Sequence, residues 1–149
     1  WEVARRRAGV GGASLLTASW WPWYEFWLDR RIPAASFRPV PSVDAGLLLM
    51  RRRTDPLVPA GERAQYQDFV RLVFQAPGRG LEEMIARAGR LRRDEVRQWL
   101  RHRRIPARAL PKDLTPQDWA DLWLLSSGRS GSARTASPRG PRRYSPGTR

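Results

Sequence analysis

A proline-rich connector followed by an apolar run constrains the fold more than any other part of the chain. Residues 33–49 read PAASFRPVPSVDAGLLL. The prolines fix φ and lack an amide hydrogen, so residues 37–42 cannot form a helix. The apolar run, which is closed by three arginines at 51–53, fits a strand covered on both faces of a sheet. We therefore expect Phe37 to be held on extended backbone at the rim of a sheet, where its ring can meet a flat ligand.

A second strand is predicted just before this connector. Residues 23–28 read WYEFWL, and such an aromatic-rich run favours a strand. We expect it to pair through the connector with a strand over residues 45–52, with residues 29–31 forming a turn or strand exit. Two short helices are predicted upstream, each ended by glycine or proline; they cover residues 2–7 and 14–20.

Beyond residue 59 the apolar pattern changes to a helical period. Residues 54–59 contain two prolines and predict a linker. Four short helices are then expected to bury one small core, with Asp94 as N-cap of the third and Thr115 as N-cap of the fourth. Their apolar positions are Tyr66, Phe69, Val70, Val73, Phe74, Leu81, Met84, Ile85, Ala88, Val96, Trp99, Leu100, Trp119, Leu122 and Trp123.

The charge balance points to a polyanionic partner. The chain has 149 residues, with 28 Lys and Arg against 14 Asp and Glu, a formal net charge of +14. RNA or DNA is the usual partner of such a protein, and arginine, which outnumbers the single Lys112, suits bidentate phosphate contacts and base stacking. Without cysteine there is no disulfide framework and no thiolate metal site. We find no secretory signal and no run of about 18 apolar residues, and we expect a cytoplasmic monomer without a membrane partner.

Two segments together resemble one enzyme family. The motif PxxxFxPxPxVD, followed by an apolar strand ending in arginine, resembles the late motif of the rRNA adenine N(6)-dimethyltransferases, which include KsgA-type housekeeping enzymes and Erm macrolide-resistance enzymes. The opening segment WEVARRRAGVGGA is similar to the segment that follows the catalytic motif in actinobacterial-type Erm proteins. The resemblance extends to about Leu125 and is strongest before Arg53.

The resemblance implies an α+β fold with a definite organisation. Residues 1–53 would be the C-terminal part of the catalytic domain, contributing the last strands of a Rossmann-like methyltransferase sheet. Residues 54–59 would be the linker, and residues 60–127 a small all-helical RNA-binding domain. Residues 128–149, with six arginines and no acid, would be a disordered basic tail.

The resemblance also implies S-adenosylmethionine as cofactor and rRNA as substrate, 23S rather than 16S. The chain has no asparagine, so it lacks the Asn-(Ile/Leu)-Pro-(Phe/Tyr) motif with which the family holds the adenine amine. The stretch Gly9, Val10, Gly11, Gly12 follows a predicted helix, not a strand, and fits a helix breaker better than a cofactor loop. We expect the donor and acceptor motifs to lie upstream of Trp1, so that this chain is the C-terminal part of a longer protein and is inactive alone.

Phe37 is the candidate site residue for the target base. By resemblance it belongs to the wall of the adenosine pocket, where a flipped base is stacked; the alternative is a sheet-edge core residue. The chain departs from the common family pattern at Ala45 and Gly46, where many members carry serine. We assign no catalytic, cofactor-binding or metal-binding residue to this chain, since His102, the sole histidine, has no second histidine or cysteine beside it.

The candidate RNA contacts are arginines in three clusters. We predict RNA contacts for Arg5, Arg6, Arg7, Arg38, Arg93, Arg97 and Arg101, and the basic region of the third helix also holds Arg90, Arg92, Arg103 and Arg104. Each cluster has a plainer interpretation as a solvated face. The strand-end arginines at 51–53 have a further alternative, ion pairing with nearby acids.

Three rival functions remain open on the sequence. One is a KsgA-type small-subunit rRNA dimethyltransferase, which shares the chemistry. Another is a non-enzymatic basic RNA-binding protein. A membrane-active Trp/Arg-rich protein is the least favoured, because tryptophan and arginine are segregated into ordered elements.

Overall fold

The computed structural model describes residues 1–9, 11–106 and 108–128. Within these ranges a two-stranded sheet and several helices follow one another along the chain. The α-helices and strands are α1 (Glu2–Arg7), α2 (Leu15–Trp20), β1 (Tyr24–Ile32), β2 (Ala45–Arg52), α3 (Arg63–Gln75), α4 (Leu81–Arg87), α5 (Arg93–His102) and α6 (Pro116–Ser126). Short 3-10 helices lie at Ala34–Ser36, Ala60–Glu62 and Pro111–Asp113. The predicted basic tail, apart from Gly128, lies outside these ranges.

The two predicted N-terminal helices are confirmed as α1 and α2. Helix α2 is capped by Ser14, whose hydroxyl oxygen accepts a hydrogen bond from the backbone N–H of Thr17 at 3.2 Å. Gly9 has φ +80°, and a Cβ there would lie 2.7 Å from the ring of Trp21. Glycine is therefore needed at this position for both backbone conformation and close packing.

The two strands pair antiparallel, as predicted, in register from Tyr24 opposite Arg52 to Ile32 opposite Ala45. The prediction that the first strand ends at residue 28, with a turn or strand exit over residues 29–31, is wrong, because β1 continues to Ile32. The register shifts between Leu28 and Arg30, so an extra residue is accommodated in a β-bulge and the strand continues. The sequence DRR is thus part of β1, with its charged side chains in solvent.

The prediction that β2 is covered on both faces is wrong in this structure. Leu47 is 38% exposed and Met50 is 61% exposed. Side chains alternate along a strand, so these two residues lie on opposite faces. Each face of β2 therefore leaves an apolar side chain in contact with solvent.

The predicted helical core is confirmed at most positions, whereas Phe74 and Ala88 are partly buried against it and Met84 is half-buried outside it. Tyr66, Phe69, Val70 and Val73 on α3 are fully buried, and the ring of Phe69 lies 6.4 Å from that of Trp119 in an edge-on arrangement. The start of α6 also agrees with prediction. Its cap residues form a capping box, in which the Thr115 hydroxyl accepts from the Asp118 N–H and the Asp118 carboxylate accepts from the Thr115 N–H.

The prediction of Asp94 as N-cap of α5 is wrong by two residues. The N-cap is Arg92, whose backbone N–H donates to the Glu95 carboxylate at 2.8 Å. A glutamate three residues after the cap reaches back to the cap amide, and this bond sets the start of the helix. Asp94 lies in the first turn, where it still favours the helix dipole.

One apolar core extends across the predicted linker. Val58 is fully buried, and the rings of Trp23 and Tyr66 meet edge-on at 5.5 Å. The Tyr66 hydroxyl donates to the carbonyl of Ala18 at 2.9 Å in the interior, so α3 satisfies a carbonyl near the end of α2. Among the described residues, no helix is long and apolar enough to cross a membrane.

Candidate nucleic-acid interface

Phe37 lies in the connector between β1 and β2 on extended backbone, as predicted, with φ −114° and ψ 154°. The 3-10 turn Ala34–Ser36 precedes it, and its N–H donates to the Ala34 carbonyl at 3.1 Å. Its side chain is 37% exposed and does not belong to the core cluster. The ring is thus available to a ligand, and its role as a base-stacking group stays a prediction.

Asp44 holds the two ends of this connector together. Its carboxylate accepts from the backbone N–H of Ala34 at 2.8 Å and pairs with the guanidinium of Arg31. The hydrogen bond from Ala34, reinforced by Arg31, lowers the pKa of Asp44. Its backbone carbonyl accepts from the nitrogen of Trp1 at 2.6 Å, so α1 begins beside the connector.

The middle of the connector presents a mixed apolar and cationic surface. Arg38 follows Phe37 and is exposed, and Val40 and Val43 are 55% and 68% exposed. An exposed ring beside an exposed arginine suits single-stranded nucleic acid, because the ring can stack on a base while the cation contacts phosphate.

Helix α1 carries the first predicted arginine cluster and packs against β2. Arg5 forms an exposed ion pair with Glu2 at 3.1 Å. Arg6 and Arg7 lie within α1, but only their backbone is described. A Cβ at Gly46 would lie 2.6 Å from the Cβ of Ala4, so glycine at this position permits the close packing of α1 on β2.

The predicted contacts on α5 converge on one acid of α4. Arg97 donates to both carboxylate oxygens of Glu82, at 2.8 and 3.3 Å, and Arg93 lies 3.9 Å from the same carboxylate. These partners, first of all Arg97, lower the pKa of Glu82, with a smaller contribution from Arg101. One carboxylate thus pairs with two guanidinium groups, while Arg101 lies beyond ion-pair distance, so this face of α5 keeps a net positive charge.

Arginines elsewhere in the basic region of α5 have structural partners. Arg103 pairs with Asp118 at 2.6 Å and with Asp121 at 2.9 Å, and burial raises the pKa of Asp121. Arg92 pairs with the first-turn acids of its own helix, and the guanidinium of Arg90 lies 5.3 Å from the ring of Trp123. Arg103 therefore links α5 to α6 through ion pairs, and we do not count it among the candidate RNA contacts.

At the end of β2, ion pairing accounts for two of the three arginines. Arg51 and Arg53 both bind the carboxylate of Glu25 across the sheet, Arg53 at 3.1 Å. Arg51 also lies 5.6 Å from the ring of Trp27. The structure therefore fits the alternative interpretation, in which the strand-end arginines pair with nearby acids. Arg52 is exposed.

Other residues considered on the sequence lie outside any candidate site. Trp21 and Trp23 are core residues, whereas Trp20 and Trp27 are half-buried. His102 is exposed at the end of α5, and the described part of the chain holds no group of three metal-ligating side chains.

Sequence reasoning misses one residue of the interface, Asp44, and one contact outside it, made by Arg63. Asp44 is only part of the PxxxFxPxPxVD motif in the sequence, although an acid just before a strand and after a rigid connector can indicate a hydrogen bond back to the connector. Arg63 places its guanidinium 5.6 Å from the ring of Trp20 and 5.2 Å from that of Trp23. No local pattern marks Arg63, because its partners are 40 or more residues away in sequence.

Comparisons with known proteins all point to one family of rRNA-modifying enzymes. The family model described as ribosomal RNA adenine dimethylase matches residues 1–126. The chain is 48% identical over 155 residues to the mycinamicin-resistance protein MyrB of Micromonospora griseorubida, covering 98% of this chain and 49% of that protein. It is 51% identical over 89 residues to an rRNA adenine N-6-methyltransferase of Corynebacterium diphtheriae, covering 60% of this chain and 35% of that protein.

A solved structure with a similar fold agrees with these matches. The chain is similar to the crystal structure of the 23S rRNA methyltransferase ErmE, with a TM-score of 0.69 and 30% identity, over 82% of this chain and 50% of that one. The present chain spans about half the length of the curated relatives that it matches.

Proposed function

The chain belongs to the ribosomal RNA adenine dimethylase family, and on that premise we propose that it is the C-terminal part of an Erm-type enzyme that methylates N6 of an adenine in 23S rRNA. The observation that carries this proposal is the match to a mycinamicin-resistance protein along 98% of the chain. The likeness to a 23S rRNA methyltransferase structure supports it independently. Such methylation would confer resistance to macrolide antibiotics.

In this proposal β1 and β2 are the last strands of a Rossmann-like sheet. Two observations support it. The strands pair antiparallel, and β2 leaves Leu47 and Met50 exposed on its two faces, where further layers of a larger domain would cover them. Residues 60–127 would then form the helical RNA-binding part, continuous with the catalytic part through their shared core.

S-adenosylmethionine is the proposed cofactor of the whole protein, but the residues described here do not fit its site. The glycines between α1 and α2 follow a helix, and their space is already used: a Cβ on Gly9 would strike Trp21, and one on Gly12 would lie 3.0 Å from the Lys112 carbonyl. The chain has no asparagine to accept hydrogen bonds from the adenine amine. We assign both the donor site and that acceptor to the part of the protein upstream of Trp1.

The contribution of this chain is to hold the RNA. Phe37 stacks on the target adenine after it leaves the RNA stack, a contact worth about 1–3 kcal/mol per base. The hydrogen bonds that Asp44 makes at both ends of the connector hold that ring in place. Arg38, the α1 arginines and the face of α5 that surrounds Glu82 contact phosphates, which position the RNA without reading its sequence.

Labelled S-adenosylmethionine tests the proposal. The chain joined to its natural upstream half should place label in adenine of 23S rRNA, whereas the 149-residue chain alone should give no label above a blank without protein. Label in 16S rRNA instead would favour the KsgA-type function. RNA binding by the joined protein without any label in either rRNA would favour a non-enzymatic binding protein.

The role of Phe37 has its own test in the joined enzyme. Phe37→Ala should lower turnover more than RNA affinity, because the ring acts on the flipped base and not on the backbone. Phe37→Tyr, which keeps an aromatic face, should retain most of the activity. Val40→Ala, in the same exposed connector, is the control for general disturbance; an equal loss there would refute a specific stacking role.

A further inference from the structure

Helix α5 ends in an unusual way. Its cap is Arg103, and the next residue, Arg104, has φ +55°, the left-handed conformation. Arg104 donates its N–H to the Arg101 carbonyl at 3.1 Å, and Ile105 donates to the Leu100 carbonyl at 2.9 Å. This is the bond pattern with which a helix commonly ends on a left-handed glycine.

The same chain uses glycine at the equivalent position of other helices. The residue after the α4 cap is Gly89 with φ +83°, and the residue after the α6 cap is Gly128 with φ +72°. Arg104 is the one non-glycine residue with positive φ in the described part of the chain. A side chain with a Cβ is disfavoured in this conformation, so arginine here lowers stability relative to glycine.

The charge around Arg104 is not neutralised locally. The arginines before it are engaged, Arg97 with Glu82 and Arg103 with Asp118 and Asp121. Arg101 and Arg104 are both exposed, and neither forms an ion pair with any residue that the structure describes. The C-terminal end of α5 therefore presents two free guanidinium groups on a backbone held by the two capping hydrogen bonds.

We propose that Arg104, together with Arg101, forms a phosphate-binding site for the RNA backbone, and that the left-handed end of α5 holds the Arg104 side chain in place at a cost in stability. The inference rests on the proposed RNA-binding function and deepens it, because it names the part of the α5 region that contacts RNA most directly. The helix dipole offers a weaker explanation, since a cation near a helix C-terminus is favourable wherever it sits in the last turn, and Arg101 already supplies that charge.

The substitution Arg104→Gly should raise the thermal stability of the chain and weaken its binding to RNA. In the 149-residue chain we expect the melting temperature to rise by about 2–4 °C, because glycine relieves the left-handed strain. The dissociation constant for an unstructured RNA should rise about 3–10-fold near 0.1 M salt, and the slope of log affinity against log salt should fall by about 1. Arg104→Lys, which keeps both the charge and the strain, should change each property much less.

Arg71→Gln is the matched control, since Arg71 is an exposed arginine on α3 paired with Asp68 at 2.8 Å. Its salt slope should equal that of the unmodified chain. An Arg104→Gly chain that binds RNA with unchanged affinity and slope would overturn the proposal, as would a slope loss equal to that of Arg71→Gln. A fall in melting temperature on Arg104→Gly would refute the strain argument. If the unmodified chain shows no salt-dependent RNA binding, the proposed function fails along with this inference.

Discussion

Replacing Phe69 with alanine should destabilise the chain by about 3–5 kcal/mol. Phe69 is fully buried on α3, so the substitution removes a whole ring from the core. The cost within this range depends on how far the surroundings can collapse into the cavity. Here the ring is bounded by Trp119 at 6.4 Å and Trp123 at 5.7 Å.

The rings of Trp119 and Trp123, which border Phe69, are themselves held in place by further contacts. Trp119 stacks on Phe74 at 5.7 Å, and the indole N–H of Trp123 donates to the Glu62 carboxylate at 2.8 Å. Large rings with fixed partners move little, so the cavity should persist and the cost should lie in the upper part of the range.

Urea unfolding monitored by tryptophan fluorescence measures this cost. With a slope of about 2 kcal/mol/M, the midpoint should fall by roughly 1.5–2.5 M. Leu72→Ala is the matched control, because Leu72 lies on the same helix but is 40% exposed; it should cost less than about 1 kcal/mol. A cost for Phe69→Ala below about 1 kcal/mol, or one equal to that of Leu72→Ala, would show that this stripe of α3 does not face a packed core.

Three further predictions concern contacts outside that core. The pKa of Asp44 is lowered from its ordinary 3.8, so Asp44→Asn should be less stable than the unmodified chain at pH 7. This difference should vanish as pH falls through the lowered pKa, and a difference in thermal unfolding that does not shrink as the pH is lowered would contradict this. Arg103→Gln leaves two partly buried carboxylates unpaired and should cost about 1–3 kcal/mol in urea unfolding, against about 0–0.5 for Arg71→Gln at an exposed pair. Gly46→Val should destabilise by about 1–3 kcal/mol through overpacking against α1, whereas Gly61→Ala, which faces open space, should be neutral or slightly stabilising; equal effects would refute the close contact.

Most elements that depend on neighbours within about one helical turn are predicted correctly from the sequence. The α3 stripe beginning at Tyr66 lies at the expected spacing because helical periodicity is a local property. Thr115 caps α6 because its hydroxyl reaches an amide three residues ahead. The start of α5 was missed although it is also local, since both Arg92 and Asp94 precede the apolar positions and only the reach of Glu95 decides between them.

The sequence by itself determined that the connector around Phe37 is extended, that four amphipathic helices follow it, and which family the chain belongs to. The first two follow from restrictions on single residues and from spacing along the chain, and the family follows from the resemblance of two segments to known members. Only the tertiary structure decided which arginines are free. Arg101 in the last turn of α5 and Arg103 at its C-cap look equivalent in the sequence, yet Arg103 forms ion pairs with two acids of α6 and Arg101 forms no ion pair with any described residue. Ion pairing depends on distances between elements far apart in the chain, and packing sets those distances.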